Sequence, residues 1–308
     1  MVRANKVLIF IFITLFLIQT HHVFAKYHPN YQLDIKGIYY MKAEIEDGDD
    51  FASDKNEVRK RDLGIGYRYF LYLSDRLTII PGVSFERNFF RYIFDDNKLA
   101  GHLPDRLQSL RFNLRSNYSI NEKWGFLSSV SMGFDSDFEE ISTEDGNFNF
   151  MLGASYGYSE KLRIFFGTSY SRNFGEDDFF PFAGIFWKPG KHFYINFMHE
   201  PEIGWEVNRM LKFGIDGGYL SKAYRLSSKA NRAFIKSGIV EEKYIRTGLF
   251  IRTGLSRTIG IKISCGMNYN HEYKFFDEDY DDIVLDADMD NSFYLNVNLL
   301  FNFMKESP

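Results

Sequence analysis

The chain has 308 residues, with 37 Lys+Arg against 41 Asp+Glu, a formal charge of −4 and an aromatic content of 18% supplied mostly by 33 Phe and 20 Tyr. A single cysteine, Cys265, excludes an intramolecular disulfide framework and a Cys-based zinc site. The acidic balance speaks against a general nucleic-acid binder, and a chain that is 45% hydrophobic and 25% charged is too ordinary in composition to be disordered.

Residues 1–25 read as a secretory signal peptide. Arg3 and Lys6 form its basic start, residues 7–18 its apolar run, and Val23-Phe24-Ala25 a small-residue cleavage site. No Cys follows the apolar run, so a bacterial lipoprotein anchor is excluded. Residues 26–308 are then the mature chain, expected to be one domain.

No second apolar run is long enough to be a membrane helix. The mature chain instead alternates with period two, the pattern of strands whose two faces differ. Leu63, Ile65, Tyr67, Tyr69, Leu71 and Leu73 alternate with Asp62, Gly64, Gly66, Arg68, Phe70 and Tyr72. Leu110, Phe112 and Leu114 alternate with Arg111, Asn113 and Arg115. Ile245, Thr247, Leu249 and Ile251 alternate with Arg246, Gly248, Phe250 and Arg252. At the C-terminus Phe293, Leu295, Val297, Leu299, Phe301 and Phe303 share one face, with Tyr294 and three Asn on the other.

The connections come in two kinds that take turns. Short ones recur at 74–76, 121–123, 159–161, 188–191, 208–209 and 256–258, most of them preceded by an aromatic such as Tyr72, Tyr118, Trp187 or Trp205. Longer, often acidic ones fall near 46–57, 93–106, 136–146, 228–238 and 276–290. Two more, near 174–178 and 199–201, break the length rule. Short turns at one end and long loops at the other, with aromatics at the interface, are features of a transmembrane barrel. Backbone amides in hydrocarbon must be paired, so only helices or a closed sheet can cross it.

Strands are expected near 31–45, 59–73, 77–92, 107–120, 124–135, 147–158, 162–173, 179–187, 192–198, 202–207, 211–226, 239–255, 259–275 and 291–303. The fold class is therefore all-β: a closed antiparallel transmembrane β-barrel of about 14 strands, or 12 if the stretch 192–207 merges. Two short strands there would lower one wall of the barrel and suggest a protomer contact. Pro81 and Pro181 fit best at a strand end or a bulge, since proline cannot donate to a ladder.

The whole mature chain resembles the bacterial outer-membrane β-barrel proteins, in particular the uncharacterised porin-like barrels. The segment from Phe293 to Phe303 resembles the C-terminal signal read by the barrel assembly machinery, although Met304 to Pro308 follow it where the family usually ends on the aromatic. The resemblance implies a bacterial outer-membrane location, a lipid and lipopolysaccharide surround, and contact with the assembly machinery during biogenesis. It does not specify activity.

By strand parity, Lys36, Arg68, Arg111, Arg115, Arg163, Lys212, Arg246, Arg252 and Lys262 point into the lumen. So do Asp34, Asp62, Glu86, Glu202, Glu206 and Asp216. The basic surplus suggests an anion path. The alternative is that these charges pair across the lumen and fill it. The acidic runs 46–50 and 277–282 lack EF-hand spacing and read as solvated loops. His199-Glu200 and His271-Glu272 are adjacent, so their side chains lie on opposite faces of a strand, and His271 reads as an interface residue. No Ser-His arrangement of a barrel lipase is recognised, Cys265 reads as a small lipid-facing residue, and no metal or cofactor is implied. The expected function is a passive, porin-like channel for small polar or anionic solutes. The alternative is a non-conducting barrel with a structural, adhesive or surface-interaction role, with a lipid-modifying enzyme behind it. Oligomeric state stays open.

Overall fold

The computed structural model describes residues 30–47, 56–93, 103–139, 142, 145–174, 176–198, 200–227, 238–256, 258–276 and 283–303. The signal segment 1–25, the tail beyond Phe303 and the acidic runs 48–50 and 277–282 lie outside them.

Sixteen strand segments follow one another: β1 Asn30–Tyr40, β2 Ala43–Asp47, β3 Glu57–Tyr72, β4 Leu77–Ile93, β5 Arg106–Ser119, β6 Trp124–Ser136, β7 Gly146–Ser159, β8 Leu162–Asn173, β9 Glu176–Trp187, β10 Phe193–Asn196, β11 Glu202–Glu206, β12 Leu211–Leu226, β13 Gly238–Gly254, β14 Ile259–Phe276, β15 Ile283–Met289 and β16 Ser292–Phe303. β1 and β2 are one stave broken at Met41 and Lys42, because β3 pairs with both. β15 and β16 are one stave broken at Asp290 and Asn291, because β14 pairs with both. The segments thus make fourteen staves, and the sheet closes on itself where β1 runs antiparallel to β16, from Tyr31 opposite Phe303 to Tyr40 opposite Tyr294. The connection expected at 276–290 is shorter than its acidic composition suggests, since Ile283–Met289 is strand.

The short connections have a common cause. All but the one at 188–191 open with a Ser or Asn whose side-chain oxygen accepts from amides two or three residues on. Ser74 accepts from Arg76 and Leu77, Asn121 from Lys123 and Trp124 (2.9 and 2.8 Å), Asn208 from Met210 and Leu211 (2.8 and 3.0 Å), and Ser256 from Thr258 and Ile259. These residues offer the backbone a local partner, which reverses the chain.

Outward positions build an apolar belt that includes Leu63, Ile65, Leu114, Phe126, Leu152, Phe166, Phe213, Ile215, Leu249, Ile251, Ile263 and Leu295, all exposed. Cys265 is exposed within it. Toward the long-loop end the outward positions turn polar, with Arg59 and Arg61 on β3, Lys243 on β13 and Glu272 and Lys274 on β14. The barrel therefore extends beyond the hydrocarbon on the side that the topology rule makes extracellular. Neither proline sits at a strand end. Pro81 is inside β4, and the β3–β4 ladder lapses beside it, between the pairs Arg68 to Gly82 and Leu71 to Ile79.

Three inner-face aromatics fill space vacated by facing glycines. Phe182 stands opposite Gly167, which faces Gly153. Tyr294 stands opposite Gly266, which faces Gly248, and Tyr194 stands opposite Gly204, which faces Gly214. A Cβ at Gly266 or Gly214 would collide with the backbone carbonyl of Thr247 or Ile203. These glycines let neighbouring strands approach and let the ring lie flat against the wall.

Candidate functional site

The short-turn half of the barrel encloses a chamber of about 830 Å³. Seven of the nine expected lumen bases line it: Lys36, Arg68, Arg111, Arg115, Lys212, Arg252 and Lys262. Arg209 and Lys222 join them, against Asp34, Glu86, Glu200 and Glu202. Arg163 lines a separate depression among the short turns, with Arg76 and Lys123. Arg246 faces inward, its guanidinium 5.2 Å from the centre of the Tyr294 ring.

Much of this charge is paired. Glu202 accepts from Arg252 at 2.6 Å and from Lys262 at 2.9 Å, and Lys262 also reaches Asp216 at 2.8 Å. Arg111 holds Asp135 at 2.8 Å, Lys212 lies 3.5 Å from Glu206, and Arg68 lies 4.0 Å from Asp34. Among the described residues Lys36, Arg115, Arg163 and Arg246 have no ion pair.

The long-loop half is filled. Lys60 of β3 reaches across to Glu242 of β13 at 2.5 Å, and the same carboxylate accepts from Nε2 of His271 at 2.9 Å. Tyr40 donates to Asp62 at 2.8 Å and meets the Tyr244 hydroxyl at 3.0 Å. Asn88 accepts from the Tyr224 hydroxyl at 2.5 Å and donates to Asp62 and Glu86, while Lys222 of β12 is paired with Glu86 of β4. Above this polar layer lies an apolar core of Ala43, Ile45, Val58, Phe90, Leu107, Tyr224, Leu226, Val240, Tyr273, Phe275 and Met289. β4 and β12 thus touch across the interior, so the upper barrel is two walls packed face to face.

Parity alone would have found three of these cap residues. Lys60 shares the face of Asp62 and Arg68, Lys222 that of Lys212 and Asp216, and Glu242 that of Arg246 and Arg252. They lie near strand ends and were not among the expected lumen residues. The reading of His271 as an interface residue is corrected. Asn270 takes a left-handed φ of 48° and the β13–β14 register shifts there, so that Asn270 and His271 together oppose Tyr244. This bulge reverses the parity of the strand, and His271, Tyr273 and Phe275 turn inward. His192 sits at a short turn, its Nδ1 2.7 Å from the Glu206 carbonyl and its ring stacked on Trp205. His28, His102 and His199 lie outside the described residues. Among the described residues no group of three or more His, Cys, Asp or Glu is placed to hold a metal ion.

A closed sheet with an apolar outer belt and a polar interior is a transmembrane β-barrel of the outer-membrane type. The family assignment agrees in extent with the barrel. The chain belongs to the family described as Domain of unknown function (DUF6268), which matches residues 32–302. No curated protein matches the sequence. Among solved structures the DUF6268 barrel is similar to a deltaS2 mutant of the TodX monoaromatic hydrocarbon channel, with a TM-score of 0.49, 9% identity and 90% of each chain covered. It is also similar to an outer membrane channel from Pseudomonas putida F1, with a TM-score of 0.48, 10% identity, 89% of this chain and 96% of that one covered. For the KdgM porin the values are 0.34, 10%, 88% and 99%. With identities and scores at this level, the functional reading rests on the chain's own residues.

Proposed function

We propose that this barrel is an outer-membrane channel whose short-turn chamber, facing the periplasm, holds and passes small anionic solutes. The observation that carries the reading is the chamber lining, nine basic side chains against four acidic ones, in a protein whose overall charge is −4. Rings of Arg and Lys favour anions in a pore. Lys36 and Arg115 supply charge that no ion pair among the described residues neutralises.

The packed cap favours a second reading, a barrel that does not conduct along its axis. Passage along the axis requires the pair of Lys60 with Glu242, and the apolar core above it, to part. The two readings separate in a planar bilayer. The refolded protein is expected to show brief, small, anion-selective steps, and the double variant K60A/E242A larger ones. Arg115→Ala is expected to move the reversal potential toward zero. Silence from both the wild type and the cap variant, with the barrel folded, would overturn the channel reading in favour of the closed barrel.

A further inference from the structure

The wall of the barrel is not of even height. β10 and β11 have 4 and 5 residues, whereas β9 and β12 on either side have 12 and 16. The short hairpin ends at a sill, where the Phe197 amide donates to Ile185 (2.8 Å) and the Gly217 amide donates to Pro201 (3.0 Å). Above the sill β9 and β12 face each other, and among the described residues no ladder joins them. Higher still the gap is bridged. The Asp137 amide donates to the Arg225 carbonyl at 3.3 Å, and the Phe174 ring at the tip of the β8–β9 hairpin lies 5.9 Å from the Arg225 guanidinium.

The result is a window framed by the edge of β9 up from Ala183, the edge of β12 up from Gly217, the sill and this upper bridge. It lies at membrane depth. The outward apolar belt continues past the sill through Ala183, Pro181 and Phe179 on β9 and to Tyr219 on β12. The belt of β10 and β11 stops at Phe197 and Ile203, some four residues short, which is about 10 Å of height for strands tilted as in such barrels. Both faces of β9 are open beside the window, with Phe179 68% and Phe180 57% exposed although consecutive residues point opposite ways.

The edge is built to stay unpaired. Alternate residues of a strand aim their amides and carbonyls to alternate sides. The Ile185 carbonyl points toward β10, and the Phe180 carbonyl lies toward β8, within reach of the Thr168 and Ser169 hydroxyls at 3.4 and 3.3 Å. An amide at position 181 would therefore point into the window, and proline has none. Asp177 and Asp178 stand above it on the same edge, both exposed, and charge and proline are what keep a foreign strand from adding to an edge. This argues against a second copy seated there.

The window leads to the chamber. Asn196 and Glu200 at the sill and Lys222 on the β12 side all belong to its lining. Beside it the inner face of β9 carries Phe180 and Phe182, the latter with its ring over Gly167 and Gly153, and Phe186 continues the run below the sill opposite Asn196. We infer that the gap between β9 and β12 is a lateral portal through which an amphipathic carboxylate, such as a fatty acid, passes between the membrane and the chamber, its tail along the β9 phenylalanines and its head toward the unpaired Lys36 and Arg115. The substrate class rests on the anionic-solute reading above; the portal itself does not.

Quenching by bromine tests both parts. In a background with Trp124, Trp187 and Trp205 replaced by Phe, single tryptophans are placed at outward Phe179, inward Phe180 and inward Phe250 of β13. Heat-modifiable mobility checks that each variant folds. In vesicles of brominated phosphatidylcholine, tryptophans at 179 and 180 are expected to be quenched to within a factor of two of each other, and that at 250 far less. Quenching at 179 alone would overturn the portal. Protection at 179 and 180 together with a dimer in sedimentation would overturn it in favour of a protomer contact. In unbrominated vesicles 11-bromoundecanoate is expected to quench the tryptophan at 180 saturably, with a half-saturating concentration at least threefold higher in R115A. Equal quenching by 11-bromoundecanol would overturn the carboxylate while leaving the portal in place. Bilayer conductance reads the anion channel separately from both.

Discussion

The two halves of this barrel use the same strands for different ends. In the long-loop half the interior charges are buried and mutually bonded: Lys60 and Glu242 are each almost fully enclosed, with Tyr40, Asp62 and His271 completing the set. In the chamber the side chains of Arg68, Arg111 and Arg252 are 40% exposed or more although each has a partner. Inward parity is the same in both except on β14, where the bulge at Asn270 reverses it. What differs is the distance across the lumen. Where β3 to β5 meet β12 to β14, polar side chains and an apolar layer fill the interior. Where the walls stand apart, a chamber of about 830 Å³ remains and charge is left available to a solute. An inward-facing charge thus has no fixed meaning until the opposite wall is known.

The comparison can be broken most forcefully at Glu242. Glu242→Ala leaves Lys60 and His271 buried without their carboxylate, and the expected loss is about 3–5 kcal/mol in urea unfolding from detergent. The hydrophobic double replacement K60M/E242L should recover most of that loss, because a well-packed apolar pair removes both desolvated charges. Equal losses in the single and double variants would mean that the cap is held by something other than this pair.

Next in size is Gly266→Val. The added side chain collides with the Thr247 carbonyl in the strand contact that Tyr294 covers, and overpacking of this kind costs about 1–3 kcal/mol. Asn121→Ala removes two side-chain to amide bonds from a short turn, a loss of about 1 kcal/mol, with no change in conductance.

Glu202→Gln sharpens the contrast on the chamber side. It removes the carboxylate charge that Arg252 and Lys262 share, so the reversal potential in a salt gradient should move further to the anion side while stability changes little. The smallest effect is expected at Arg106→Ala. Its partner Glu139 is as exposed as itself, and an exposed pair of this kind contributes about 1 kcal/mol at most.

Most of the barrel was legible in the residues. The repeat of Ser or Asn at the short turns, the two-residue period and the aromatics at the turns follow from local chemistry, and they place nearly every strand within a few residues of its observed span. The short pair at 192–207 was legible as a lowered wall. Its meaning was not, because whether β9 and β12 close above it depends on strands far apart in sequence. The chamber bases were legible by parity. Which of them are neutralised was not, because Arg252 and Lys262 meet Glu202 from different staves. His271 was misplaced because parity assumes an unbroken strand, and a single left-handed Asn270 is enough to reverse it.

The sequence by itself determined the all-β class, the stave pattern and which face of each strand meets lipid, because alternation and turn formation are interactions among residues a few positions apart. Only the tertiary structure decided that the interior is packed at one end and open at the other, and that the wall has a gap at membrane depth. Those features depend on how far apart opposite staves lie, a distance fixed by the closure of the whole sheet.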